Sequence, residues 1–165
     1  MRRKPRDPAG PGRTSGAIEN HQRGVRVPLP PLETFLQRAK KELGLRGDSV
    51  AVRLIHDAEM KRLNATFRGK KKSTDVLSFP AEDQRGKPGS LAQQVRNARS
   101  KFLGDIAISP KVARRNASSL GRTLPQELQV LILHGLLHLL GYDHETDRGE
   151  MERIEMRLRR RLGIA

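Results

Sequence analysis

The chain reads as a single α/β domain, an α+β sandwich in which a small four-stranded sheet, mixed but mostly parallel, packs with about five helices. Three observations predict it. Four short strand-like segments, two of them apolar runs bounded by Pro or Gly, alternate with stretches of helical periodicity. One of those stretches, Leu128 to Leu140, is apolar on nearly every side and belongs inside a core. A length of 165 residues suits one domain with a substantial interior.

Residues 1–16 are Pro, Gly and Arg with almost nothing to bury, so a basic disordered extension is expected there, leaving 17–165 as the folded domain. Ala17 to Gln22 is the first strand. The Pro-rich VRVPLPP then leads into a helix whose Leu32, Phe35, Leu36, Ala39 and Leu43 share one face, with Gly44 at its stop. Asp48 to His56 alternates as a strand, with Val50, Val52 and Leu54 on one side and Ala51, Arg53 and Ile55 on the other. Asp57 opens a short helix ending near Phe67 and is placed to cap its free amides. Asp75 to Phe79 and Phe102 to Ile108 are the remaining strands, and another helix follows Pro110.

Thr123 with Gln126 reads as a capping box for the central apolar helix. The last helix, roughly Thr146 to Leu162, carries Met151, Ile154, Leu158 and Leu162 on one stripe. Acids fill its first half and Arg157, Arg159, Arg160 and Arg161 its second, which complements the helix dipole. Between the third and fourth strands, about residues 82–101, lies a basic loop insert with Arg85, Lys87, Arg96, Arg99 and Lys101, a solvated segment able to guide a phosphate backbone.

Composition narrows the function. Lys and Arg number 33 against 18 Asp and Glu, a net charge of +15 that points to a polyanionic partner, nucleic acid first. No apolar run is long enough for a membrane span, and Met1 to Gly24 has no apolar signal core, so no membrane partner and a cytoplasmic setting are expected. The lack of cysteine fits a reducing compartment. Aromatic residues make up only 3%, so base stacking is not expected to provide sequence reading.

The most informative segment is HGLLHLLGYDH, His134 to His144, which holds three of the five histidines. Residues four apart lie one above the other on a helix, so His134 and His138 aim in one direction. Gly141 tolerates the conformation that ends helices, which lets the chain turn back and bring His144 to the same point. Three histidines with an open position make the catalytic zinc pattern, whereas a closed structural site usually takes a fourth ligand, commonly cysteine, which this chain lacks. Imidazole ligands also suit nickel, copper and iron, with one Zn2+ per chain as the first expectation. The histidine and glycine spacing is that of extended zinc proteases, but the glutamate that serves them as general base is replaced by Gly135. Asp143 is placed to orient a ligand imidazole or a water, or equally to cap the turn. His21 and His56 lie outside the motif and read as ordinary surface or core histidines.

HGLLHLLGYDH resembles the signature of the YbeY family of bacterial endoribonucleases at every fixed position. LNATFRGKKKSTDVLSFP (Leu63 to Pro80) and LGDIAIS (Leu103 to Ser109) resemble two further blocks of that family, in family order. Two departures are visible: Ser73 stands where the family often has proline, and the basic insert separates Pro80 from Leu103. The resemblance implies a single-strand-specific, metal-dependent endoribonuclease acting in ribosomal RNA processing (the 16S 3′ end) and in ribosome maturation and quality control. It also implies an antiparallel edge strand, with ribosomal RNA and small-subunit proteins as partners and no role for DNA. Arg68 matches the family's functionally important arginine, and Asp105 another family position. From the residues alone, Arg68 opens the basic run Arg68, Lys70, Lys71, Lys72, where a guanidinium can grip a phosphate with two parallel bonds. Two other readings stand beside the nuclease: a ribosome-assembly RNA-binding factor with a structural metal site, and a metalloprotease.

Overall fold

The computed structural model describes residues 18–45, 50–81 and 102–164. The expected N-terminal extension and basic insert lie outside the described residues. Elements run in the order β1 (Ile18–Asn20), α1 (Leu29–Glu42), β2 (Val50–Leu54), α2 (Asp57–Arg68), β3 (Val76–Pro80), β4 (Gly104–Ile108), α3 (Pro110–Ser119), α4 (Leu124–Leu139) and α5 (Glu150–Leu162). The sheet order is β1-β2-β4-β3. β1, β2 and β4 are parallel, and β3 runs antiparallel along the β4 edge, with Leu77 opposite Ala107. Four strands and five helices among the described residues match the expected α+β sandwich.

The alternation in β2 sorts its side chains as the sequence requires. Val50, Val52 and Leu54 are buried with Ile106 and Ile108 of β4, on the face covered by α1, α4 and α5. The opposite face carries a smaller cluster, Ile55, Met60, Leu77 and Ala107, sealed by α2. All five residues assigned to the α1 stripe are buried. Helix α4 runs through the interior, with Ile132, Leu133, Leu136 and Leu137 fully buried; truncating any one of them to alanine would cost about 2–5 kcal/mol. Its N-terminus has the full capping box: Thr123 accepts from the Gln126 amide, and Gln126 accepts from the Thr123 amide.

Two local expectations change. Asp57 does not cap α2: His56 is the N-cap, without a side-chain bond, and the Asp57 carboxylate instead accepts from the Ser73 hydroxyl and pairs with Lys61 at 3.7 Å. The serine hydroxyl, then Lys61, hold that carboxyl below its usual range. Ser73, a departure from the resembling family's pattern, thereby ties the basic loop to the start of α2. The last helix begins at Glu150 rather than Thr146, because Asp147 accepts from the Gly149 and Met151 amides and makes residues 146–149 a turn. The arginines of α5 are partly engaged within the protein, Arg159 with Glu155 and Arg161 with Glu42. Asp105 lies beside Arg53 at 3.5 Å, joining neighbouring strands. No described helix is long and apolar enough to cross a membrane.

Candidate metal centre

His134 and His138 stand one turn apart near the C-terminal end of α4, and the helix ends as the site requires. The Tyr142 amide donates to the Leu137 carbonyl and the Gly141 amide to the His138 carbonyl, with Gly141 at φ 99°. This is the paired bonding of a Schellman motif, and it reverses the chain within two residues. Buried Tyr142 anchors the reversal. The Asp143 carboxylate then accepts from the Glu145 amide at 3.0 Å, while its carbonyl accepts from Thr146 and Asp147. His144 is fixed between these two sets of bonds.

The three histidines converge: one ligand nitrogen from each lies within 4.8 Å of the others. The Nε2 atoms of His134 and His138 face each other at 3.1 Å. Two nitrogens bound to one tetrahedral zinc at about 2.0–2.1 Å would stand roughly 3.3 Å apart, so donor type and spacing both fit such an ion. Burial, then the neighbouring His134 and His144, hold the His138 imidazole below its usual pKa, which keeps it neutral and able to ligate.

Glu155 completes the arrangement from α5. Its Oε2 lies 3.2 Å from His134 Nδ1 and its Oε1 takes the Arg159 guanidinium at 3.0 Å. Burial pushes its carboxyl up, but His134 and Arg159 outweigh that and hold it low. With Nδ1 donating to Glu155, the lone pair of His134 is left on Nε2, the atom that faces His138. The sequence reading missed this residue. Its signal was an acid on the same stripe as Met151, Leu158 and Leu162. Glu155→Gln, which keeps the shape and removes the charge, is expected to weaken zinc binding about 10–100-fold in competition with a chromophoric chelator; unchanged affinity would remove Glu155 from the site.

Gly135 occupies the position of the protease glutamate, and the packing explains why. A Cβ there would lie 2.9 Å from two carbons of Ile106, a fully buried β4 side chain. The Gly135 carbonyl also accepts from Ser78 Oγ at 3.2 Å. The helix lies against the sheet at the place where a protease would need a carboxylate facing the ion. Gly135→Glu should therefore lose about 3 kcal/mol or more in chemical denaturation through overpacking and charge burial, with no gain of casein hydrolysis.

The histidines form one wall of an open groove between the end of α2, the β3 edge and the residue 141–145 turn. Arg68 is the last residue of α2, with Gly69 as its left-handed cap. It reaches across the groove to Glu145, 3.5 Å away, and both side chains are largely exposed. Lys70 lines the groove with it, whereas Lys71 and Lys72 are exposed away from the wall. The Asn64 amide donates to the Lys72 carbonyl at 2.7 Å and holds this basic loop against α2. Asp143 also faces the groove. His21 pairs with exposed Glu19, and His56 caps α2; neither belongs to the cluster.

A family model described as Endoribonuclease YbeY matches residues 18–163. The chain is 44% identical over 135 residues to Endoribonuclease YbeY of Solibacter usitatus (82% of this chain, 80% of that protein). It is 46% identical over 133 residues to Endoribonuclease YbeY of Koribacter versatilis (81% and 76%). Its fold is similar to the solution structure of TM1509 from Thermotoga maritima, with a TM-score of 0.56, 29% identity and coverage of 88% and 87%.

Proposed function

The chain belongs to the YbeY endoribonuclease family, and from that premise we propose that it is a zinc-dependent hydrolase cutting single-stranded regions of ribosomal RNA, including the 16S 3′ end, in the cytoplasm during ribosome maturation. The observation that carries this reading is the meeting of the three histidine nitrogens with Arg68 on one open groove. His134, His138 and His144 would hold the ion. Bound there, zinc supplies Lewis-acid chemistry: it lowers the pKa of a water and polarises a phosphoryl oxygen.

The remaining work falls to the chain. Arg68 leaves the weak, solvent-screened pair with Glu145 and grips the scissile phosphate with two parallel N–H bonds, offsetting the charge that builds on its oxygens. Lys70 adds attraction for the flanking backbone, and Lys71 and Lys72 a longer-range field. Asp143 keeps the His144 turn in register and offers a carboxylate at the groove for orienting the attacking water. Glu155 fixes the His134 tautomer. Small-subunit ribosomal proteins are the partners that would supply site choice.

The test is to incubate the zinc-loaded chain with a ribosomal RNA fragment spanning the 16S 3′ end, both single-stranded and annealed to its complement, and to map product ends. Cleavage of the single strand alone, stopped by chelation, is the expected result. Tight binding of the fragment without any cut would instead favour a non-catalytic assembly factor.

A further inference from the structure

Only five residues of the chain are aromatic by Phe and Tyr, yet three of them, Phe67, Phe79 and Tyr142, line the groove that holds the histidines. Tyr142 is buried and anchors the turn, and Phe79 is half-buried in the β3 edge. Phe67 differs: it is 63% exposed, the most exposed large apolar side chain among the described residues. It is not loose. Phe79 holds it edge-to-face, with ring centroids 5.1 Å apart and planes at 72°. A single exposed apolar side chain on a surface is ordinary. This one has a fixed orientation, sits immediately before Arg68 at the end of α2, and shares its groove with Lys70 and the metal ligands.

We propose that Phe67, braced by Phe79, is a stacking platform for one nucleobase of single-stranded RNA, next to the phosphate gripped by Arg68. This rests on the nuclease reading above and extends it to how the strand is seated. Adjacent positions at a helix end supply the two things a nucleotide offers, a flat apolar face and an anion. A duplex cannot use this seat without unstacking a base, so the platform gives the preference for single strands a physical basis. Stacking is tolerant of base identity, which agrees with a chain that has few aromatics and no evident means of reading sequence at this groove. Low aromatic content described the whole chain and concealed where those residues lie.

The zinc-loaded full chain tests this with a series of single-stranded RNA oligomers, each carrying one abasic nucleotide at a different position. In the wild-type protein, one position near the cut should raise KM roughly tenfold or more, the usual worth of one stacked base. Phe67→Ala and Phe67→Leu should raise KM for intact RNA by a similar factor and become indifferent to that abasic position. Phe67→Tyr should retain wild-type behaviour. The loss should fall more on KM than on kcat. Because Phe67 is exposed, all three variants should keep the wild-type melting temperature closely, so folding does not confuse the result. A KM for Phe67→Ala within twofold of wild type, or an abasic penalty that persists in that variant, overturns the platform while leaving the nuclease intact. A wild-type chain that cuts no RNA under zinc overturns both.

Discussion

His138→Ala is expected to abolish zinc retention and RNA cleavage together while leaving the fold in place. The reasoning begins with what His138 gives to the apo protein. It is partly buried, held neutral by burial and by two neighbouring imidazoles, and no ion pair of the core runs through it among the described residues. Removing it should therefore change stability by no more than about 1–2 kcal/mol, the range of ordinary substitutions. Its effect on the ion is of another order. Even partners that touch only the ligands are worth about 10–100-fold in metal affinity, and removing one of three protein ligands should exceed that. Elemental analysis after dialysis should find well below one zinc per chain, and RNA cleavage should fall by at least about 10³-fold. Circular dichroism should be unchanged. Stoichiometric zinc with cleavage within tenfold of wild type would sink the assignment of this cluster as the catalytic centre.

Arg68→Ala should cost about 10²–10³ in the rate of RNA cleavage with zinc content unchanged, the size of effect seen when one donor to a developing anion is removed. The pair with Glu145 is exposed on both sides, so its loss barely affects folding. Arg68→Lys separates charge from shape: it keeps the cation and loses the planar fork, and should remain within about tenfold of the alanine variant rather than of wild type. Single-turnover cleavage measured beside zinc content distinguishes this from a metal defect. A lysine variant with near-normal turnover would reduce Arg68 to a general source of positive field, equivalent to Lys70.

Much of this was legible in the sequence because the chemistry sits in local spacing. The three histidines lie within eleven consecutive residues, and to converge they need a helix end at Gly141, which a left-handed glycine announces. The capping box at Thr123 and the alternation of Val50, Val52 and Leu54 were equally local. What stayed hidden depends on contacts across the fold. Glu155 reaches His134 from another helix, and its charge looked like part of the acidic start of α5. Asp57 resembled a helix cap because the sequence could not show Ser73 beside it. Phe67 read as the apolar end of a helix until β3 placed Phe79 against it.

The Schellman turn that carries His144 has a thermodynamic consequence. Because the three histidines span only eleven residues, little loop entropy would oppose capture of an ion between them. Arg68 stands sixty-six residues upstream of His134 and meets the ligands only when α2, the sheet and α4 are assembled. The two halves of the centre therefore have different resistance to partial unfolding. Ion affinity depends on α4, its turn and Glu155 of α5, whereas turnover also needs the end of α2, so local opening at that helix end is expected to lower turnover before it empties the site.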